Sequence, residues 1–258
     1  MKEARLARGV GGLLAFLALW EAGVRAGVRG LEYLPPPSDI ATALVRLVQT
    51  PALIQEMAHT IGAALISWIT AIVIGVVAGS ALGLSAALRA WAMPSIELLR
   101  PLPPVALIPV ALLLFGFSIA TEFFVIVIPC IWPVLVATMS GFASTPKRLR
   151  DVARSLRLGR LETIRKILIP TAAPSILIGA RLSMSTSLVL AVVVEMIGNP
   201  EGLGYALVRE SQALDRELMF AYVVLIGGLG VAFNFAIEAL GDRVMPGAMS
   251  ERPAGADS

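Results

Sequence analysis

Four stretches of this chain, residues 60–88, 101–121, 123–146 and 218–237, contain no Asp, Glu, Lys or Arg. Each reaches the roughly 20 residues that an α-helix needs to cross a hydrocarbon core of about 30 Å. Only 15% of all residues are charged, where a soluble domain would carry about 25%. The expected fold class is an all-α polytopic membrane protein.

Two further spans are less clean. Residues 9–24 are apolar apart from Glu21 and follow the basic "KEARLAR". They read as a retained first helix rather than a signal peptide, because no convincing small-x-small cleavage site follows. Residues 171–194 are interrupted by Arg181. The expected organisation is then six spans (9–24, 60–88, 101–121, 123–146, 171–194 and 218–237) between a short 1–8 terminus and a disordered 241–258 tail. With the N-terminus in the cytoplasm, fifteen Lys/Arg fall inside and five outside, so the positive-inside rule places both termini and residues 147–170 in the cytoplasm. The basic balance therefore sets orientation and does not point to nucleic acid.

One cysteine, Cys130, leaves no internal disulfide, and with one histidine, His59, no Cys/His metal cluster is expected. No G-x-x-x-x-G-K-[ST] occurs, so a transport process powered by ATP would need another subunit to supply it.

The triple proline of "LPPPSDI" forces an extended approach, with Ser38 or Asp39 as N-cap of a short surface helix. Gly75, Gly79 and Gly83 recur at i, i+4 and i+8, a stripe that admits a neighbouring backbone within the chain or across a subunit interface. Pro101, Pro103, Pro104, Pro109, Pro129 and Pro133 bend the third and fourth spans. Residues 195–217 open with a Gly-Asn-Pro turn and continue as a polar helix.

The segment 151–170, "DVARSLRLGRLETIRKILIP", is basic and half apolar. At 100° per residue Val152, Ala153 and Leu156 share one face, and Leu161, Ile164 and Leu168 share another. The phase breaks at "RLG", where Gly159 offers a turn. A free helix lying on lipid would keep one apolar face. A broken phase describes a projecting helix-turn-helix, for which an acidic protein groove and an anionic membrane surface are both possible partners.

This segment resembles the cytoplasmic coupling motif of ABC importer permeases. Asp151, Val152 and Ala153 fill its Glu-Ala-Ala places, and "ILIP" closes on Pro170 at the twentieth. Arg157 stands where the family has Gly, with Gly159 two residues later. A left-handed turn is awkward for Arg, so a shifted or reshaped turn is expected. The fragments "ALWEAGVRAGV…LPPPSDI", "RPLPPVALIP…LLLFG" and "VVEMIGNPEGLGYAL" extend the resemblance to the nitrate/sulfonate/taurine-type branch, although Leu107 occupies a place often Trp there.

The resemblance implies a permease with the type I ABC importer fold in a bacterial inner membrane, surrounded by lipid. It implies pairing of the chain with itself, two ABC ATPases carrying ATP and Mg, and an extracytoplasmic binding protein that delivers a small anionic solute. Asp151 would cap the coupling helix. With Ala153, Arg154, Arg157, Gly159 and Pro170 it would form the ATPase-coupling set, and no covalent chemistry or cofactor is expected in this chain. The alternatives are an energy-coupling-factor scaffold, which would need a second Ala-Arg-Gly element, and a secondary transporter, which would need intramembrane carboxylates.

The remaining polar residues leave choices open. Arg181 either pairs or snorkels, or faces the pathway of an anion. Ser183 and Ser187 either line that pathway or bond their own helix. Glu195 is an outer gate or a packing group, and Gly202 and Gly204 in the same fragment go with it. Asn234 reads as interhelical glue, Cys130 as packing and His59 as merely interfacial.

Overall fold

The computed structural model describes residues 2–30 and 33–244, and among them every regular element is helical. In order these are α1 (Lys2–Arg25), α2 (Pro37–Val48), α3 (Ala52–Leu84), α4 (Ala86–Leu99), a 3₁₀ turn Pro104–Leu107, α5 (Ile108–Phe115) and α6 (Ile119–Ala143). Then follow α7 (Lys147–Ser155), α8 (Arg160–Thr163), a π-helical turn Ile164–Leu168, α9 (Ile169–Gly198), α10 (Gly202–Gln212) and α11 (Arg216–Val244).

Among the described residues four helices are long and apolar enough to cross a membrane: Ala52–Leu84, Ile119–Ala143, Leu161–Gly198 and Arg216–Ala239. A fifth arises if α4 and the Pro104–Phe115 stretch, bent by 85°, form one broken span. The expected third span, 101–121, is thus not one rod. Pro101, Pro103 and Pro104 lack backbone donors and break the helix: the chain turns after α4 (Leu102 N–H to Leu99 O, 3.2 Å), is extended at Pro103 (φ −64, ψ 121) and enters the 3₁₀ turn at Pro104. The expected second span likewise stops at Leu84, because Ser85 turns extended and its Oγ accepts from Leu88 N–H at 3.2 Å to start α4. At the other end of the chain α11 runs to Val244, past the expected start of the tail at 241; residues 245–258 lie outside the described residues.

Helix α2 begins two residues earlier than a Ser38 cap, and three earlier than an Asp39 cap, would set. Pro36 is its N-cap in polyproline geometry (φ −69, ψ 150), and Pro37 opens the first turn. Ser38 instead ties α2 to α1: its N–H and Oγ donate to Glu21 at 3.1 and 2.8 Å, and Arg25 reaches its Oγ at 2.9 Å.

Helices α3, α6 and α9 form the centre of the bundle. A Cβ added at Gly75 would fall 2.7 Å from Val134 Cβ, at Gly79 2.6 Å from Leu135 O, and at Gly83 2.6 Å from Phe142 Cβ. The stripe therefore packs within the chain, along α6. Gly179 of α9 meets the opposite side of α6, where a Cβ would lie 2.7 Å from Ala137 Cβ and 2.8 Å from Pro133 O. Trp68 Nε1 donates to Ala180 O at 2.8 Å and closes the triangle from α3 to α9. Around this core large apolar side chains face outward, among them Leu19, Val77, Trp91, Leu113 and Phe235, as a lipid-facing surface requires.

Gly79→Val should lower the stability of the purified chain by about 1–3 kcal/mol, the cost of overpacking. Thermal unfolding in detergent measures it, with Gly62→Val as control because a Cβ there meets nothing within 4 Å.

Candidate functional site

Two groups of residues occupy opposite ends of α3. The first is polar and buried. His59 and Thr60 come from the first third of α3, Glu122 from the first turn of α6 and Glu195 from the last turns of α9. Asn199, Glu201 and the Gly202–Gly204 backbone follow α9 directly. Glu122 and Glu195 are 0% and 1% exposed. Glu195 Oε2 accepts from Gly204 N–H at 2.8 Å and from Thr60 Oγ1 at 2.9 Å, while Thr60 Oγ1 accepts from Leu203 N–H at 2.9 Å. His59 Nε2 lies 2.9 Å from Glu122 Oε1, and its Nδ1 lies 2.9 Å from Glu201 Oε2. The Asn199 amide donates to Glu122 Oε1 and sits 3.2 Å from His59 Nε2.

Gly202 and Gly204 have a concrete reason to be glycine here. Gly202 has φ +85, and a Cβ on it would collide with the Glu195 carboxyl. On Gly204 a Cβ would collide with Val192 O. The chain thus folds its backbone donors tightly over one buried carboxylate. Beside this lies a second polar layer in which Glu56 accepts from Tyr222 Oη at 2.7 Å and from Arg209 Nη1 at 3.3 Å, joining α3, α10 and α11.

Two sequence readings change at this end, and Glu195, open between an outer gate and a packing group, is a buried carboxylate that bridges α3 and the start of α10. His59 is part of the same cluster and not merely interfacial. Glu122, which reads in the sequence as a boundary between two spans, is an interior acid. Its signal was a lone carboxylate between uncharged stretches of 21 and 24 residues; the turn that accommodates it lies earlier, at Gly116–Ser118.

The second group is the 147–170 segment beyond the far end of α3. Helix α7 projects with Val152 and Leu156 exposed, Ala153 turned inward (3% exposed) and the Arg154 side chain 82% exposed. Arg150 Nη2 anchors it by donating to Phe142 O at 2.9 Å. Asp151 is not the cap expected, since α7 starts four residues earlier after Pro146; Asp151 lies mid-helix, 3.6 Å from Arg154 Nη1. The expected shift of the turn is also corrected. Arg157 itself takes the left-handed conformation, φ +49, with Leu158 N–H bonding Ala153 O and Arg157 N–H bonding Arg154 O, both at 3.0 Å. This pair is the Schellman ending of a helix, and its two bonds hold Arg157 where glycine would sit without strain. Gly159 instead begins α8: its carbonyl accepts from Thr163 N–H at 2.9 Å, and Glu162 accepts from its N–H at 3.3 Å. Pro170 continues into α9 just after the π-helical turn.

Between the two ends, Arg181 pairs with α11, its Nε 3.0 Å from Asn234 Oδ1 and its Nη2 3.4 Å from Glu238 Oε2. Ser183 and Ser187 are fully buried and donate to Cys130 O at 2.8 Å and Met184 O at 2.9 Å, which leaves them no surface toward a solute.

Residues 71–247 match the family described as the binding-protein-dependent transport system inner membrane component. The chain belongs to that family. Among its relatives, the nitrate import permease protein NrtB of Synechococcus elongatus is 30% identical over 245 residues, 90% of this chain and 87% of that protein. The putative aliphatic sulfonates transport permease protein SsuC of Bacillus subtilis is 28% identical over 214 residues, 83% and 78% of the two chains. The fold is that of a chain in the inward-facing MetNI methionine ABC transporter (TM-score 0.64, 18% identity, 80% of this chain and 98% of that one). The permease is therefore an inner-membrane transport subunit of an ABC importer and not an enzyme.

Arg157→Gly should stabilise the permease by about 1 kcal/mol by removing the left-handed strain on an L-residue, and Arg157→Val should destabilise it. Limited proteolysis of the 147–160 segment reads both: slower cleavage than wild type for the first, faster for the second.

Proposed function

We propose that this permease carries a small anion inward as one half of a self-paired, six-span pore driven by two ABC ATPases. The relatives named for sulfonates and nitrate support the solute class. In this reading α1 and the bent α4–α5 unit complete the six spans, both termini are cytoplasmic, and lipid covers the outward apolar faces. An extracytoplasmic binding protein delivers the solute, and ATP and Mg reside on the ATPases.

The observation that carries the proposal is the projecting α7. Val152 and Leu156 stand exposed on a basic helix held rigidly to α6. A solvated surface helix gains nothing from exposed apolar residues at those places, whereas a helix seated in a groove buries them. Asp151, Arg154 and Arg157 surround the contact with charge, Ala153 packs the helix onto the bundle, and Gly159 and Pro170 relay its motion into α9. Arg181 is the pathway group on this reading. It lines a cavity of about 380 Å³ between α9 and α11 with Met184, Ser185, Leu188 and Asn234.

Leu156→Asp should leave the permease folded in the membrane but weaken its hold on the ATPase by about 2 kcal/mol, roughly 30-fold, as loss of an anchoring contact does. Co-purification with the ATPase encoded for the same transporter, and uptake of taurine, nitrate and an alkanesulfonate in cells, measure it. Unchanged co-purification and uptake would contradict the proposal.

A further inference from the structure

We infer that His59, Glu122 and Glu195 form a binding site for a divalent transition cation of the zinc class. The inference goes beyond the transport reading and does not rest on it.

One imidazole nitrogen and two carboxylate oxygens, one ligand atom per residue, lie within 4.8 Å of one another. That set and spacing suit zinc with little adjustment, since its bonds to His nitrogen and to carboxylate oxygen run near 2.0–2.2 Å. Two observations besides the clustering point to a cation. First, Glu122 Oε2 and Glu195 Oε1 are buried and have no hydrogen-bond partner among the described residues. An unpartnered carboxylate oxygen in an interior is costly, and two beside each other add like-charge repulsion. A dication neutralises both.

Second, the imidazole is oriented as a metal ligand. Glu201 Oε2 lies 2.9 Å from Nδ1 and would hold a proton there when Nε2 binds a metal, the carboxylate–histidine arrangement of metal sites. Nε2 lies 2.9 Å from Glu122 Oε1, so the same place takes either a proton or a metal ion, and a metal there would be held by both atoms.

A route to the site exists. A cavity of about 540 Å³, lined by Gln55, Glu56, His59, Glu201, Gly202 and Tyr205 among others, opens onto the imidazole. The bound cation ties α3, α6 and α9 together with the loop that follows α9. From His59 to Gly83 along α3 is about 36 Å at 1.5 Å per residue, so the tie lies at the end of the bundle remote from α7.

The test uses the full chain purified in detergent through a tag without histidine, stripped of metal and titrated with Zn²⁺ and, for its visible spectrum, Co²⁺. One ion per chain is expected, with a Co²⁺ spectrum of low coordination number and a melting temperature raised by Zn²⁺ and lowered again by EDTA. Glu201→Gln should keep the fold and weaken Co²⁺ binding about 10–100-fold, as loss of an outer partner does; the paired Glu122→Gln, Glu195→Gln variant should abolish stoichiometric binding. If the double variant does not fold, the wild-type titration and melt decide alone. Wild-type chain that takes up no stoichiometric ion and melts alike with Zn²⁺ or EDTA overturns the inference, and would mean that protons hold the two acids. Binding that survives in a folded double variant overturns it as well.

Discussion

Helices in a lipid core gain no hydrophobic advantage from touching one another, so contact must come from close packing and from polar bonds. In this permease the near approach of α6 to both α3 and α9 carries that burden. Glycines 75, 79 and 83 on one side and Gly179 on the other bring backbone against backbone, within distances that no Cβ would tolerate. Around this three-helix core α10 packs on α3 and α9, α11 on α9 and α10, α4 on α3, α5 on α6, and α7 is held to the end of α6 through Arg150, while α2 packs on α11 and carries α1. The core is also thin. Much of α3 and α11 faces outward, so the same helices that hold the subunit together also form its apolar outer surface.

A close-packed core moves as a unit rather than deforming. That matters because the two polar features sit at its opposite ends. At one end Glu195 is enclosed by Thr60, Gly204 and the Gly202 turn, with His59 and Glu122 beside it. At the other, α7 ends in a left-handed Arg157 and passes through α8 and a π-helical turn into α9, the helix that carries Glu195 in its last turns. Helices α3 and α6 also run between the two ends, and α9 is the one that the chain enters directly from α7 and α8. A displacement of α7 therefore has a direct mechanical route to the buried cluster.

Much of this was legible in the residues themselves. Uncharged stretches about 20 residues long located the apolar helices, because insertion of charge into lipid is costly enough to leave its mark on composition. The phase break at "RLG" located the α7–α8 turn, and the small-residue stripe announced a close helix contact whose partner, α6, only the fold names. What stayed hidden was set by neighbours. Glu122 and His59 look like chain boundaries until α9 brings Asn199 and Glu195 against them. Ser183 faces inward because α6 presents Cys130 O to it, whereas Ser187 bonds Met184 O of its own helix, one of the two readings open in the sequence. The left-handed Arg157 contradicts local preference, and two capping bonds outweigh that preference. The break after Arg100 is an intermediate case: its prolines announce a bend, but an 85° turn depends on where α4 and α5 dock.

The account turns on the permease having an ATPase seated on α7, and the most direct measurement is its composition in the native membrane. The chain should be purified gently from its own bacterium through a C-terminal tag and the co-eluting proteins quantified by mass spectrometry. The account predicts an ABC ATPase in equal abundance with the permease, and a solute-binding protein at lower and variable abundance. A permease that elutes alone from several mild detergents, while catalysing uptake of its solute in vesicles without ATP, would contradict it.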